Sequence, residues 1–210
     1  MDIDGFIHQL ASAETAPDAF NQYAYGSPYN DLRRANFRRY LLTLAERQPS
    51  VMLVMEAPGY RGSRLTGIPV TSRRILLEGL PALDLFGVHN GYQDVTEPGF
   101  ERIQGEQSAT ILWGVMAETR TVPLIWNSFP FHPHRLGEAL TNRRPRQPEV
   151  RQGAVFLQQI MALFQPGQII AVGNVADEAL RKLDISAAKV RHPAQGGKND
   201  FVAGMQKLLG

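Results

Sequence analysis

Apolar and polar positions along the chain alternate between two patterns. Short apolar blocks at 51–55, 122–126, 169–172 and 188–191 read as strands. The first is a continuous run, Val-Met-Leu-Val-Met, the form taken by a strand buried on both faces. Segments with helical spacing lie between the blocks. Residues 31–47 put Phe37, Tyr40, Leu41 and Leu44 on one face, and Asn30 or Asp31 stands where a cap is needed. Residues 151–164 turn Val155, Leu157, Ile160, Met161 and Phe164 mostly inward. Further helices are expected over 73–80, over 108–118 behind Ser108, from 174 to about 183, and over 200–209. Pro145 and Pro148 mark 137–150 as loop. Residues 84–107 are acidic, glycine-rich and weakly periodic, and are expected to form an insertion or lid. No internal repeat or low-complexity tract is present.

Strands alternating with helices predict an α/β fold, a parallel sheet with helices on both faces. Ligands of such sheets bind beyond the carboxyl ends of the strands. The residues just past those ends are Glu56-Ala57-Pro58-Gly59, Asn127-Ser128, Gly173-Asn174 and His192-Pro193. Topology therefore brings together an acid, an amide and an imidazole that are far apart in sequence.

Composition narrows the classes. The chain has 210 residues, 43% hydrophobic and 20% charged, which suits one globular domain over 1–210. It has no cysteine. Disulfides, thiolate zinc sites, cysteine nucleophiles and cysteine-ligated iron–sulfur clusters are thereby excluded. The run at 51–55 is too short to span a bilayer, and residues 1–20 lack a basic start followed by an apolar stretch. A cytoplasmic monomer with no membrane contact is expected. Net charge is +2. The distribution is uneven. Residues 78–118 carry seven acids against Arg102 alone, and residues 1–18 carry acids only. Bases gather at Arg33–Arg47, Arg61–Arg74, Arg143–Arg151 and Arg181–Lys198. A one-sided basic surface would suit a polyanion, whereas separate solvated helix faces would not.

Each candidate has a plain alternative. Glu56 at a strand end could activate a water or stabilise a developing cation, or simply cap a backbone amide. Asn127 offers a donor and an acceptor side by side, which matches a nucleobase edge, or it is a turn asparagine. His192 could donate to a leaving-group oxygen, or it is a surface histidine. Gly196-Gly197 lets its loop approach a partner, and Lys198 adds a charge suited to phosphate. The stretch Tyr60-Arg61-Gly62-Ser63-Arg64 is a candidate phosphate cradle, although it lacks the P-loop pattern. His132-Pro133-His134 has a metal-like look, but the intervening proline favours loop packing, and no metal is expected.

Together these motifs resemble the uracil-DNA glycosylase superfamily. The matching stretches are Glu56-Ala-Pro-Gly59, Thr66-Gly-Ile-Pro-Val70, Asn127, Gly173-Asn-Val-Ala176 and His192-Pro193, in order over roughly residues 51–200. The resemblance implies a three-layer α/β/α fold around a four-stranded parallel sheet. It implies hydrolysis of the N-glycosidic bond of a base flipped out of DNA. Asn127 would read the base edge, His192 would stabilise the anion forming on the base, and Glu56 would position water and balance the sugar cation. Ala57, Pro58, Gly59, Tyr60, Val70 and Phe129 would line the base pocket. Ser63, Ser128 and Lys198 would hold phosphates, and the loop carrying Gly196 and Gly197 would enter the minor groove.

Three departures stand out. The classical members place Asp where this chain has Ala57, as the iron–sulfur branch does. Met55 replaces the glycine before the Glu of that branch. Val70 replaces its Phe, so an aromatic platform for the base must come from Tyr60, Phe129 or Phe131. The expected activity is removal of uracil or another deaminated base, without a cofactor and with damaged DNA as partner. The alternatives are a catalytically silent DNA- or base-binding module and a nucleoside or nucleotide hydrolase.

Overall fold

The computed structural model describes residues 2–210. In chain order the elements are α1 (Ile3–Ser12), β1 (Ala19–Phe20), α2 (Pro28–Arg47), β2 (Val51–Met55), α3 (Ser63–Thr66), α4 (Arg73–Glu78), α5 (Gln107–Glu118), β3 (Leu124–Asn127), β4 (His132–Pro133), α6 (Gln147–Phe164), β5 (Gln168–Val172), α7 (Asn174–Arg181), β6 (Ala188–Val190) and α8 (Lys198–Leu209). Four strands form one parallel sheet in the order β3-β2-β5-β6. Helix α1 packs against both α2 and α6, α6 against α7, and α5 against α8. This is the expected α/β/α architecture.

The register explains the convergence of the strand ends. Met55 pairs with Asn127, Val54 with Ala171, and Val172 with Val190. Glu56, Asn127, Gly173 and His192 therefore emerge along one edge of the sheet. All five residues of β2 are buried, as the continuous apolar run requires. Trp126 of β3 stacks on Phe37 of α2 at 5.7 Å between ring centroids and touches Phe6 of α1 at 5.4 Å.

Several elements differ from the expectation. Helix α1 was hidden behind its acidic composition, yet it buries Ile3, Phe6, Ile7, Leu10 and Ala11 at helical spacing. The Asp2 carboxylate caps it by accepting from the Gly5 N–H at 2.8 Å. Helix α2 starts at Pro28, ahead of Asn30, and the Asn30 amide is buried, donating to the Ala24 carbonyl. Helix α6 starts at Gln147. Pro148 lies in its first turn, where a missing N–H costs nothing, instead of breaking it. Val155 faces solvent at 54% exposure and not the core. Strand β3 begins at Leu124, just after Pro123, which has no N–H to give to the sheet ladder.

Residues 84–107 are packed into the body. Phe86 and Val95 are fully buried. Glu97 accepts from both Arg33 and Arg64, and Arg73 grips Asp94 through two bonds of 2.6–2.7 Å. The acids of this segment thus neutralise buried arginines. Arg64, expected in a phosphate cradle, is one of them, and it also lies over the Phe20 and Phe100 rings. Close packing recurs behind β3. A Cβ on Gly153 of α6 would fall 1.9 Å from the Ser128 carbonyl oxygen, so only glycine allows α6 to approach there.

Candidate active site

A cleft of about 760 Å³ opens at the carboxyl ends of the sheet strands. Glu56, Ala57, Pro58, Gly59, Ser63, Val70, Asn127 and His192 all line it. Glu56, Asn127, Gly173 and His192, from four separate strand ends, thus meet in one space.

Glu56 stands at the end of β2, half-buried. Burial pushes its carboxyl above the ordinary glutamate value, and the Arg144 charge opposes that rise. Glu106 is the second carboxylate in the wall, but it caps α5, accepting from Ser108 N–H at 3.0 Å and Ala109 N–H at 2.6 Å. Glu56 is therefore the carboxylate left for chemistry. Asn127 is 2% exposed, and its side-chain amide has no hydrogen-bond partner among the described residues. The amide lines the cleft, so it is free to pair with whatever occupies it.

His192 is oriented by its own loop. The Ala194 N–H donates to Nδ1 at 3.1 Å. Nδ1 must then be an acceptor, so the neutral ring carries its proton on Nε2. Protonating Nδ1 would set two donors against each other. Burial also lowers the His192 pKa, with the Glu106 charge acting against that and Arg191 acting with it. Gly173, at φ +87, lies against this ring, and a Cβ there would sit 3.2 Å from the His192 Cβ.

Val70 adopts φ 49, a strained conformation for a β-branched residue. Two bonds hold it: its N–H donates to Ser63 Oγ at 2.9 Å, and its carbonyl accepts from Trp113 Nε1 at 2.8 Å. The Ser63 oxygen thus shapes the pocket wall.

Other expected residues are placed differently. Ser128 is buried and donates its hydroxyl to the Met55 carbonyl at 2.8 Å, which leaves it unable to hold a phosphate. Phe129 is fully buried, edge-on to Phe131, and is core instead of a stacking platform; Phe131 is equally buried. Tyr60 lies outside the cleft wall with its ring under Arg61. Gly197 is buried, and a Cβ on it would strike the His192 carbonyl oxygen at 2.1 Å, so it packs the histidine loop and does not face a groove. Gly196 and Lys198 are exposed beside the cleft residue Gln195.

The wall also holds Asn142, which sequence reasoning missed, and Arg143 and Arg144, which the sequence shows only as part of a cluster of bases. The Tyr60 N–H donates to Asn142 Oδ1 at 2.9 Å, which ties the loop after β2 to the loop before α6. Behind it, the buried His132 bonds the Thr141 carbonyl through Nε2 at 2.9 Å. Arg143 is spent on Glu149 at 2.6 and 2.7 Å, while Arg144 is exposed at the rim. No periodicity marks these residues, because they lie in the stretch read as loop. Among the described residues no group of three or more His, Asp or Glu could hold a metal ion.

The family model of the uracil DNA glycosylase superfamily matches residues 43–205, which takes in all four strands of the sheet and every strand-end residue of the cleft. The chain belongs to the uracil-DNA glycosylase superfamily. The crystal structure of wild-type Pedobacter heparinus SMUG2 is similar in fold to this superfamily member, with a TM-score of 0.61 at 12% identity over 98% of this chain and 94% of that chain. No curated protein matches by sequence. Within the superfamily fold, this chain brings Glu56, Asn127 and His192 to a single cleft.

Proposed function

We propose that the protein is a DNA glycosylase that hydrolyses the N-glycosidic bond of a flipped uracil or other deaminated base. The observation that carries this reading is the polarity of His192. Its Nδ1 accepts from Ala194 N–H, so a neutral ring presents Nε2–H, a donor suited to the oxygen of a departing base anion. The unpartnered Asn127 amide shares the cleft and can pair both of its hydrogen-bonding groups with a base edge. The Glu56 carboxylate orients a water toward the sugar carbon and offsets the positive charge that grows on the sugar. The bond to the base breaks, the electron pair leaves with the base, and water supplies the new C–O bond.

The test uses single- and double-stranded oligonucleotides carrying uracil, hypoxanthine or xanthine, followed by alkaline cleavage at abasic sites. Strand breaks are expected with at least one lesion. Asn127→Ala and His192→Ala are each expected to cut the rate by on the order of 10²–10³-fold. Salt-dependent DNA binding without breaks would identify a silent binding module. Base release from free nucleosides alone would identify a nucleoside hydrolase.

A further inference from the structure

Asn127 shares the cleft wall with a second free amide, that of Asn142. Exposed asparagines ordinarily rotate freely, but this one is fixed by its oxygen. The Tyr60 N–H donates to Oδ1 at 2.9 Å, and His132 Nε2 lies 3.4 Å from the same atom. That Nε2 also meets the Thr141 carbonyl at 2.9 Å. A carbonyl only accepts, so Nε2 carries the proton. Both neighbours of Oδ1 are therefore donors, and turning the amide over would set N–H against N–H.

With Oδ1 held, Asn142 presents its Nδ2 end to the cleft. Nδ2 has no acceptor among the described residues, where only Oδ1 is bonded. The surface beside it is kept low. Gly59 lies outside the left-handed region, so its backbone does not demand glycine. What a side chain there would meet is the amide: a Cβ on Gly59 would lie 3.6 Å from Asn142 Nδ2. Anything longer would crowd the donor.

The cleft thus holds two amides of different character. Asn127 offers a donor and an acceptor, whereas Asn142 offers donors alone because its acceptor is spent. On the glycosylase reading, on which this inference rests, such a pair sorts bases by their acceptors. Uracil has one edge, N3–H beside an oxygen, for Asn127, and a second oxygen for His192. Its remaining edge is C–H and accepts nothing. Hypoxanthine and xanthine present a similar edge at N1–H and O6, and they carry a further acceptor, N7, on the five-membered ring.

We propose that Asn142 is a specificity-determining residue whose Nδ2 donates to N7 of an extruded hypoxanthine or xanthine, favouring deaminated purines over uracil. A donor fixed before binding loses little freedom on pairing.

The test alters the donor and the acceptor separately. Asn142→Asp keeps an oxygen for the Tyr60 N–H and replaces the donor with a second acceptor. Its ratio of kcat/KM for hypoxanthine and xanthine to kcat/KM for uracil, on matched duplexes, should fall on the order of tenfold. An unchanged ratio, with all three rates lowered together or none lowered, would overturn the proposal in favour of a loop-positioning role. The second readout removes N7. In a Glu56→Gln background, a duplex carrying hypoxanthine should bind on the order of tenfold tighter than one carrying 7-deazahypoxanthine. Adding Asn142→Leu should bring the two affinities together. Equal affinities with Asn142 present would overturn the proposal, and so would a difference that Asn142→Leu leaves intact. If wild type releases no base from any strand, the glycosylase reading fails. A binding difference that Asn142→Leu abolishes would then still support the contact with N7.

Discussion

One buried and one half-buried imidazole and one half-buried carboxylate carry the pH dependence expected of the site and of the fold. Glu56 is held above the usual glutamate range by burial, and in the proposed reaction it acts ionised. His192, with its pKa lowered by burial, must be neutral to keep Nδ1 as an acceptor. Base release should therefore rise with pH on the acid side. Glu56→Gln should lower the rate on the order of 10²-fold or more and remove the Glu56 step from the profile. Wild-type rates in that variant would show that Glu56 does not orient the water. His132 governs acid stability instead. Burial foremost lowers its pKa from 6.5 to about 4. The unfolded chain then binds the extra proton first, so stability is lost as pH falls from about 6.5 toward 4. The loss amounts to roughly 3 kcal/mol. Thermal melts between pH 7.5 and pH 4 should show it, and His132→Gln should flatten the curve. Among single residues, the legible ones were those at or just past a strand end: Glu56, Asn127 and His192. Ser128 and Phe129 were misplaced because they lie past the end of β3, where no strand periodicity sets the side-chain direction. Their direction depends on what packs behind them, here Met55 and Phe131.

Elements reported themselves in proportion to their apolar periodicity. Strands β2, β3, β5 and β6 and helices α2, α5 and α6 were all visible as blocks. Helix α1 carries an equally regular stripe, interrupted by the polar Asp4, His8 and Gln9, and its cap is an acid, Asp2. The segment 84–107 is the reverse case. Its periodicity is weak because it is held by charge as well as by apolar packing. Glu97 sits between Arg33 of α2 and Arg64 of α3, with all three largely buried. Removing one partner of a buried ion pair leaves the others uncompensated. Glu97→Ala should therefore cost about 3–5 kcal/mol in urea unfolding. It should also open 84–107 to proteolysis ahead of the sheet. Cleavage rates equal to wild type would show that apolar packing alone fastens the segment.

At the scale of the molecule, the charge pattern changes meaning. Arg33, Arg64, Arg73 and Arg143 are engaged with acids inside the protein, so much of the basic sequence never faces a ligand. The remaining exposed bases near the cleft include Arg61, Arg191 and Lys198, which have no ion pair among the described residues. DNA affinity should fall with salt, and Lys198→Ala should reduce the slope of log K against log salt by about 1 at most. A slope identical to wild type would remove Lys198 from the interface. The sequence by itself determined the α/β class and the line of strand ends, because apolar periodicity and strand polarity are local properties. It also determined which chemical groups stand on that line. Only the tertiary structure decided which groups remain free to act. Glu106 was consumed by a helix cap, Ser128 by a strand carbonyl and Arg64 by Glu97. Asn127 was left unpartnered, and His192 was turned by one backbone amide. Such outcomes depend on contacts between residues distant in sequence, which no local pattern encodes.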